Sequence, residues 1–381
     1  MKLKCIDQVP KSEFTGKRVL LRSDFNVPLG KNGEVADMFR LEQGWKTVQY
    51  LSECGAKVIV ISHIGREPGE SLEPVAREIQ RFGKVVFVPD IVGAAARSAI
   101  EVMRDGEVIL LENLRRDSRE TKNDESFARE LASLAQVYVD DAFAAVHRAH
   151  ASIIGVAKLL PAYAGLLVCD EVREIDAARS PESPSFAILG GAKFETKAPL
   201  IRLLLEKYDR LFIAGALAND VFKARGLPVG RSLISKELPG EDILSNPHFL
   251  APTDVTAQTP DGHARVKRPE EVSEDERIVD TGPDTVAMLA PYIAEAKFIL
   301  WNGPTGIYEE GYDSYTQQLA QLVAKAHEGG TKVVIGGGDT LAAIDEAHVP
   351  REKLGFLSTG GGAMLEYLLR GTLPGIEVLK Q

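Results

Sequence analysis

The sequence predicts two α/β domains, each a doubly wound, Rossmann-like parallel sheet. Three observations predict this. Short β-branched runs alternate with helix-spaced segments, the pattern of serial βαβ units. The alternation occurs twice, separated by the proline-marked break SPESPS at 180–185. A chain of 381 residues is also too long for one ordinary core.

In the first series, RVLLR (18–22), KVIVIS (57–62), KVVFV (84–88), EVILLE (107–112) and QVYVD (136–140) read as strands buried on both faces. Segments 41–54, 71–82 and 124–135 between them carry helical spacing. A long helix is expected over 165–178, before the break. The second series is FAILG (186–190), RLFIAG (210–215), KFILW (297–301) and KVVIGG (332–337).

Composition narrows the function classes. At 44% hydrophobic and 26% charged residues, the chain is globular rather than disordered. A net charge of −10 argues against nucleic acid or an anionic membrane as a whole-surface partner, while leaving room for a local basic cleft. No apolar run of membrane length occurs, and the residues after Met1 form no leader-like apolar stretch. Three distant cysteines, Cys5, Cys54 and Cys169, with no CxxC, lead to the expectation of no disulfide framework, no structural zinc and a reducing cytoplasm.

In doubly wound sheets ligands gather beyond the carboxyl ends of the strands, so the residues there carry the functional signal. In the first half these are Asp24, Asn26, His63, Arg66, Arg115, Arg116, His147 and Arg148, with Arg40 at the expected start of a helix. One surface arginine is usually a solvated charge; several at one sheet edge suit the oxygens of a small polyanion. In the second half the same slots carry glycines. Gly190-Gly191-Ala192-Lys193 leads to Lys197, and Asn302-Gly303-Pro304 follows another run. Gly336-Gly337-Gly338-Asp339-Thr340 follows a third, and Gly360-Gly361-Gly362 leads into the helical stretch 363–369. Glycines let backbone N–H groups approach phosphates, and a helix start adds a favourable dipole. Asp339 beside such a run suits a magnesium ligand or an N-cap.

GxxxxGK[ST], GxGxxG and HExxH are absent, against Walker-type NTPases, dinucleotide dehydrogenases and zinc hydrolases. The stretch DDAFAAVHRAH (140–150) offers His147 and His150 three apart near two carboxylates, but no third ligand with suitable spacing. An arginine-lined domain and a glycine-loop domain facing a cleft suit phosphoryl transfer, where positioning and charge neutralisation supply most of the catalysis.

The motifs RVLLRSDFNVP (18–28), SHIGRE (62–67), LENLR (111–115), DAFAAVHRAHAS (141–152), LGGAKFETK (189–197), WNGPTGIYE (301–309), IGGGDT (335–340) and STGGGA (358–363) resemble the phosphoglycerate kinase family in content and order, over essentially the whole chain. The resemblance implies reversible in-line phosphoryl transfer between 1,3-bisphosphoglycerate and MgADP, giving 3-phosphoglycerate and MgATP, without a phospho-enzyme. It implies triose binding by Asp24, Asn26, Arg40, His63, Arg66, Arg115 and Arg148, with Arg40 on the in-flight phosphoryl group. It places Lys197 with that group and Gly361, Gly362 and Thr340 as phosphate-facing backbone. Gly190, Gly191, Ala192, Lys193, Asn302, Pro304, Gly336, Gly337 and Gly338 would surround the nucleotide phosphates. Gly215 would lie near the adenine, Glu309 at the ribose, and Asp339 on Mg2+. The implied organisation is a triose domain at 1–165, an inter-domain helix at 166–180, a nucleotide domain at 181–360 and a segment 361–381 returning to the first, in a hinge-bending cytoplasmic monomer.

Several positions depart from the family pattern. Ala214-Gly215-Ala216 replaces three glycines, Arg116-Asp117 a Phe-His pair, Ser314-Tyr315 a Gly-Thr, and Asp140 an Asn. The segment 256–277 reads as a trimmed, charged loop. A non-catalytic relative would be expected to lack Arg40, Lys197 or Asp339, and all three are present. A hydrolase or mutase on this fold would need a nucleophile or base with supporting spacing, which the sequence does not offer.

Overall fold

The structure is a computed structural model, and it describes residues 3–30, 33–35, 37–345 and 347–380. Residues 1 and 2, on which the leader reading partly rests, lie outside this set, as does Gln381 at the end of the expected returning segment. The chain divides into two units: one runs to Arg173 and regains the chain from Thr372, the other is Glu174–Gly371. Residues 361–371, expected with the returning segment, group instead with the second unit.

In the first unit, β1 (Arg18–Ser23), β2 (Lys57–Ile61), β3 (Val86–Val88), β4 (Val108–Leu111), β5 (Val137–Asp141) and β6 (Ala162–Ala164) form one parallel sheet in the order β3-β4-β2-β1-β5-β6. Its helices are α1 (Met38–Glu53), α2 (Glu73–Ile79), α3 (Ala94–Glu101) and α4 (Glu125–Ala132). The sheet forms because its strands are apolar on both faces: β4 and β5 are buried throughout and β1 at all but its first residue. Val19, Leu21, Val58, Val60, Leu110 and Val139 pack with Leu41, Trp45 and Val48 of α1 into one core.

Helix α5 (Leu166–Arg179), expected at 165–178, begins in the first unit and ends in the second. There β7 (Ser185–Leu189), β8 (Arg210–Ile213) and β9 (Phe249–Leu250) belong to a second parallel sheet. Helices α6 (Phe194–Lys207), α7 (Ala216–Ala224) and α8 (Glu241–Leu244) lie between these strands in sequence. The segment expected as a trimmed loop is instead a small antiparallel sheet of β10 (Val255–Gln258), β11 (Ala264–Lys267) and β12 (Arg277–Thr281). In β10, Val255 and Ala257 are buried while Thr256 and Gln258 are half-exposed, the two-residue alternation of a strand covered on one face. Beyond it come α9 (Pro283–Glu295), β13 (Phe298–Asn302), α10 (Ser314–Glu328), β14 (Lys332–Gly336), α11 (Gly338–Asp345), β15 (Phe356–Ser358) and α12 (Gly362–Arg370). The second sheet runs β15-β14-β13-β7-β8-β9, with its adjacent strands parallel. A last helix, α13 (Pro374–Glu377), packs on the first unit.

The expectation that the cysteines stay unpaired is overturned. Cys5 and Cys169 form a disulfide across 164 residues of sequence, leaving Cys54 free and buried. Cys169 is half-buried, and Trp301 is fully buried. Odd number and wide spacing argue against a framework of many bridges, but they do not report distance in the fold.

Candidate active site: two half-sites

In the first unit the carboxyl ends of β1, β2, β4 and β5 bring Asp24, His63, Arg115 and Arg148 to one sheet edge. The organiser is Arg22, a guanidinium only 1% exposed at the end of β1. It donates from Nη2 to His63 Nδ1 (2.8 Å), from Nε to Ser152 Oγ (3.1 Å) and from Nη1 to the Ser23 carbonyl (2.6 Å). Ser152 in turn donates to the buried Glu120 carboxylate, with Oγ at 2.5 Å and its backbone N at 3.0 Å. Burial pushes Glu120 up, against the pull of Arg22. Burial also drives His63 well below the usual histidine range, reinforced by the charges of Arg22, Arg115 and Arg148. The ring is therefore neutral, accepts from Arg22 at Nδ1 and carries its proton on Nε2. In an NMR titration, His63 ring shifts are expected to stay flat from about pH 6 to 8; a midpoint near the ordinary histidine value would contradict this arrangement.

Arg40, in the first turn of α1, is fixed from two sides. Its Nη1 donates to the buried Asp24 carboxylate at 2.5 Å, and its backbone N donates to the helix-capping Asp37 at 3.2 Å. Asp24 is the main reason its guanidinium is held above its ordinary value. Asn26 Oδ1 accepts from Gly65 N at 2.9 Å, joining the loops after β1 and β2. Arg66 is exposed beside it. Arg115 and Arg148 are half-buried, and among the described residues neither they nor Arg66 make an ion pair. Burial lowers Arg115, with the neighbouring charges of Arg148 and Arg22 adding to it, and its Nε is buried without a hydrogen-bond partner.

The stretch DDAFAAVHRAH divides its labour. Asp141, fully buried, caps α5 by accepting from Leu167 N (2.9 Å) and Val168 N (3.3 Å). Asp140 accepts from Ala142 N at 3.1 Å, and burial pushes its carboxyl up to about 7. His150 lies 3.7 Å from Glu120 and is lowered to about 4, first by burial and then by Arg115. Arg148 Nε donates to His147 Nε2 at 3.2 Å. Among the described residues no group of three His, Cys, Asp or Glu is placed to hold a metal ion.

In the second unit, loops after β7, β8 and β13 wall a cavity of about 540 Å³ together with β12 and α7. Of the sequence-predicted residues it brings together Gly191, Ala192, Gly215, Pro304, Glu309 and Asp339. The walls require glycine at two places. A Cβ on Gly303 (φ +97°) would lie 2.4 Å from the Gly190 carbonyl carbon, and one on Gly215 (φ +62°) 2.9 Å from Gly191 N. Gly303→Ala is expected to lower unfolding stability by about 3 kcal/mol or more, read as a shift in urea midpoint. An unchanged midpoint would show that the two loops do not approach this closely.

Most other predicted residues lie outside this lining. Asn302 Nδ2 donates to the Gly336 carbonyl (2.7 Å), and Gly303 N donates to Thr340 Oγ1 (2.7 Å). Gly337 and Gly338 lead from β14 into α11, whose exposed Asp339 carboxylate accepts from Tyr308 Oη at 3.3 Å. Lys197 Nζ donates to the Gly190 carbonyl at 2.5 Å, and burial lowers its amine to about 8, opposed by Asp339. Lys193 is exposed, in left-handed conformation (φ 66°), at the start of α6. Gly361 and Gly362 open α12. One carboxylate beside phosphate-sized space fits magnesium, which takes one or two carboxylates and completes its shell with phosphate oxygens and water.

Sequence reading missed Arg22, Ser152 and Glu120 in the first half-site. In the second it missed Asn219, Arg231, Leu233, Asp280 and Tyr308, all in the cavity lining. Arg22 had a signal, a cation ending a strand with no water to face. The cavity residues had none, because they come from separate stretches of the chain that meet only in the fold.

Comparisons with known proteins agree with this architecture. Residues 8–371 match the family model described as Phosphoglycerate kinase. The phosphoglycerate kinase of Granulibacter bethesdensis is 43% identical, covering 97% of this chain and 98% of its own length. That of Clostridium perfringens is 42% identical, with 96% of each covered. The structure of phosphoglycerate kinase from Coxiella burnetii superposes with a TM-score of 0.82 at 35% identity, covering 100% of this chain and 99% of that one. Phosphoglycerate kinase from Pyrococcus horikoshii gives 0.84 at 26% identity, covering 99% and 98%. With the fold, the motifs and near-complete coverage in agreement, the chain belongs to the phosphoglycerate kinase family.

Proposed function

We propose that this chain performs its family's glycolytic reaction, phosphoryl transfer between ATP/ADP and 3-phosphoglycerate, by dividing the substrates between its two units. The triose phosphate is held in the first unit by Arg66, Arg115 and Arg148, with Asp24, Asn26 and His63 shaping the site. The nucleotide lies in the second unit's cavity, its ribose toward Glu309, its phosphates against Gly190–Lys193, Asn302–Pro304 and Gly336–Thr340, and its Mg2+ on Asp339. The base sits against Gly215, between Ala214 and Ala216. Arg40 and Lys197 neutralise the phosphoryl group as it moves, and the backbone N–H groups at Gly361 and Gly362 add to this. The acceptor carboxylate is itself the nucleophile, so transfer is direct and in line.

The observation that carries this reading is that Arg66, Arg115 and Arg148 have no ion-pair partner among the described residues, with Arg115 Nε buried and without a hydrogen-bond partner. Buried like charges are costly without a guest, and a phosphorylated carboxylate supplies the missing acceptors. The net charge of −10 disfavours nucleic acid as a partner, and no helix among the described residues is long and apolar enough to cross a membrane. A cytoplasmic monomer working on small phosphorylated metabolites is the setting we infer. A coupled assay with MgATP and 3-phosphoglycerate tests the function; a folded sample without turnover would overturn it.

A further inference from the structure

The Cys5–Cys169 disulfide lies where two other restraints meet. Cys5 bridges Ala164, the last residue of β6, and Ala164 N donates to the Lys4 carbonyl at 2.9 Å. Two residues past Ala164, α5 begins, and Asp141 at the end of β5 caps it. The start of α5 is thus tied to the chain's first strand-like segment by a covalent bond and to β5 by one carboxylate. Asp141 immediately precedes the loop that carries His147, Arg148 and His150. None of these elements contributes to the nucleotide cavity. Cys169 is half-buried while Cys5 is 7% exposed, so Cys169 is the more open residue of the pair. In a reducing compartment a disulfide is more often a redox sensor than a permanent staple.

We propose that Cys5–Cys169 is a reversible thiol–disulfide control site, through which a dithiol reductant releases the start of α5 and weakens binding of the triose substrate. A thiolate of the dithiol attacks Cys169 Sγ, forming a mixed disulfide and expelling Cys5 as a thiolate. The dithiol's second thiolate then attacks its own sulfur in that bond, releasing Cys169. The dithiol becomes a disulfide, two electrons pass to the protein, and the two cysteine thiolates take up protons. With the bond open, the first turn of α5 keeps only polar restraints, from Asp141 and from Thr47 Oγ1, which accepts from Leu166 N at 3.0 Å, and the freedom this turn gains passes through Asp141 to the Arg148 loop. The effect on the triose rests on the substrate division proposed above; the opening of α5 does not.

The test equilibrates the full-length protein with reduced or oxidised dithiothreitol and counts alkylated thiols by mass after denaturation. One thiol (Cys54) is expected in the oxidised form and three in the reduced form. On reduction, KM for 3-phosphoglycerate is expected to rise about fivefold or more, with KM for MgATP unchanged. Amide exchange is expected to quicken in residues 3–8 and 166–170. Cys169→Ser and Cys5→Ser should behave as the reduced form under both conditions, and Cys54→Ser should keep the response. Three thiols in the oxidised sample, unchanged exchange at the start of α5, or equal KM values in an active enzyme would each overturn the proposal. If neither form turns over, the proposed function fails, and the exchange measurement still decides whether the bond governs α5.

Discussion

Arg40→Ala is expected to reduce turnover by about 10³-fold or more while leaving MgADP affinity within about twofold of the parent. Arg40 is aimed by two carboxylates: Asp24 holds its Nη1 and Asp37 caps the helix that carries it. Such pre-organisation means the charge need not be recruited when the phosphoryl group develops negative charge. A Lys at this position would keep the charge but lose the planar fork, so Arg40→Lys should recover only part of the rate. Steady-state kinetics with calorimetric nucleotide binding separate the outcomes. A loss confined to KM would mean that Arg40 only binds substrate.

Lys197→Met is expected to lower turnover by about 10²-fold, and the parent's pH profile should reveal why. Burial lowers the Lys197 amine to about 8, so in the free enzyme its positive charge is lost as pH rises through that value. The kcat/KM for MgATP should therefore fall above about pH 8, since this parameter reports the free enzyme's groups. Lys197→Arg should carry its charge past that pH and abolish the fall. The stability sign is opposite to that of a salt-bridged lysine. Between about 8 and 10.4 the unfolded chain binds more protons at this residue, so this residue's contribution favours the fold increasingly as pH rises through that window. A flat kcat/KM across that range would contradict a charged Lys197 at the phosphates.

Legibility in the sequence followed physical cause. The long parallel strands were readable because burial on both faces demands continuous apolar runs such as RVLL and KVIVI. The short strands β6, β9 and β15, of two or three residues, carry too little pattern to stand out. The antiparallel sheet was misread because β11 is exposed along most of its length and alternates small or apolar residues with Arg265 and Lys267. Residues at strand ends were found because topology places ligands there; Asp24, His63, Arg115 and Arg148 were all placed this way. What stayed hidden depends on distance in space. Arg22 reaches Ser152 across 130 residues, and Cys5 meets Cys169 across 164. In DDAFAAVHRAH the spacing already left the two histidines without a third ligand, but the roles of its carboxylates, Asp141 capping α5 and Asp140 fully buried, show only in the fold.

In the proposed function each substrate has its own unit. Hydrogen exchange with one ligand at a time tests it directly. With 3-phosphoglycerate alone, protection is expected in peptides covering 24–26, 62–66, 113–116 and 143–150, and with MgADP alone in 189–193, 302–309 and 336–341. Protection of the glycine loops by 3-phosphoglycerate, with the arginine-bearing peptides unchanged, would contradict it.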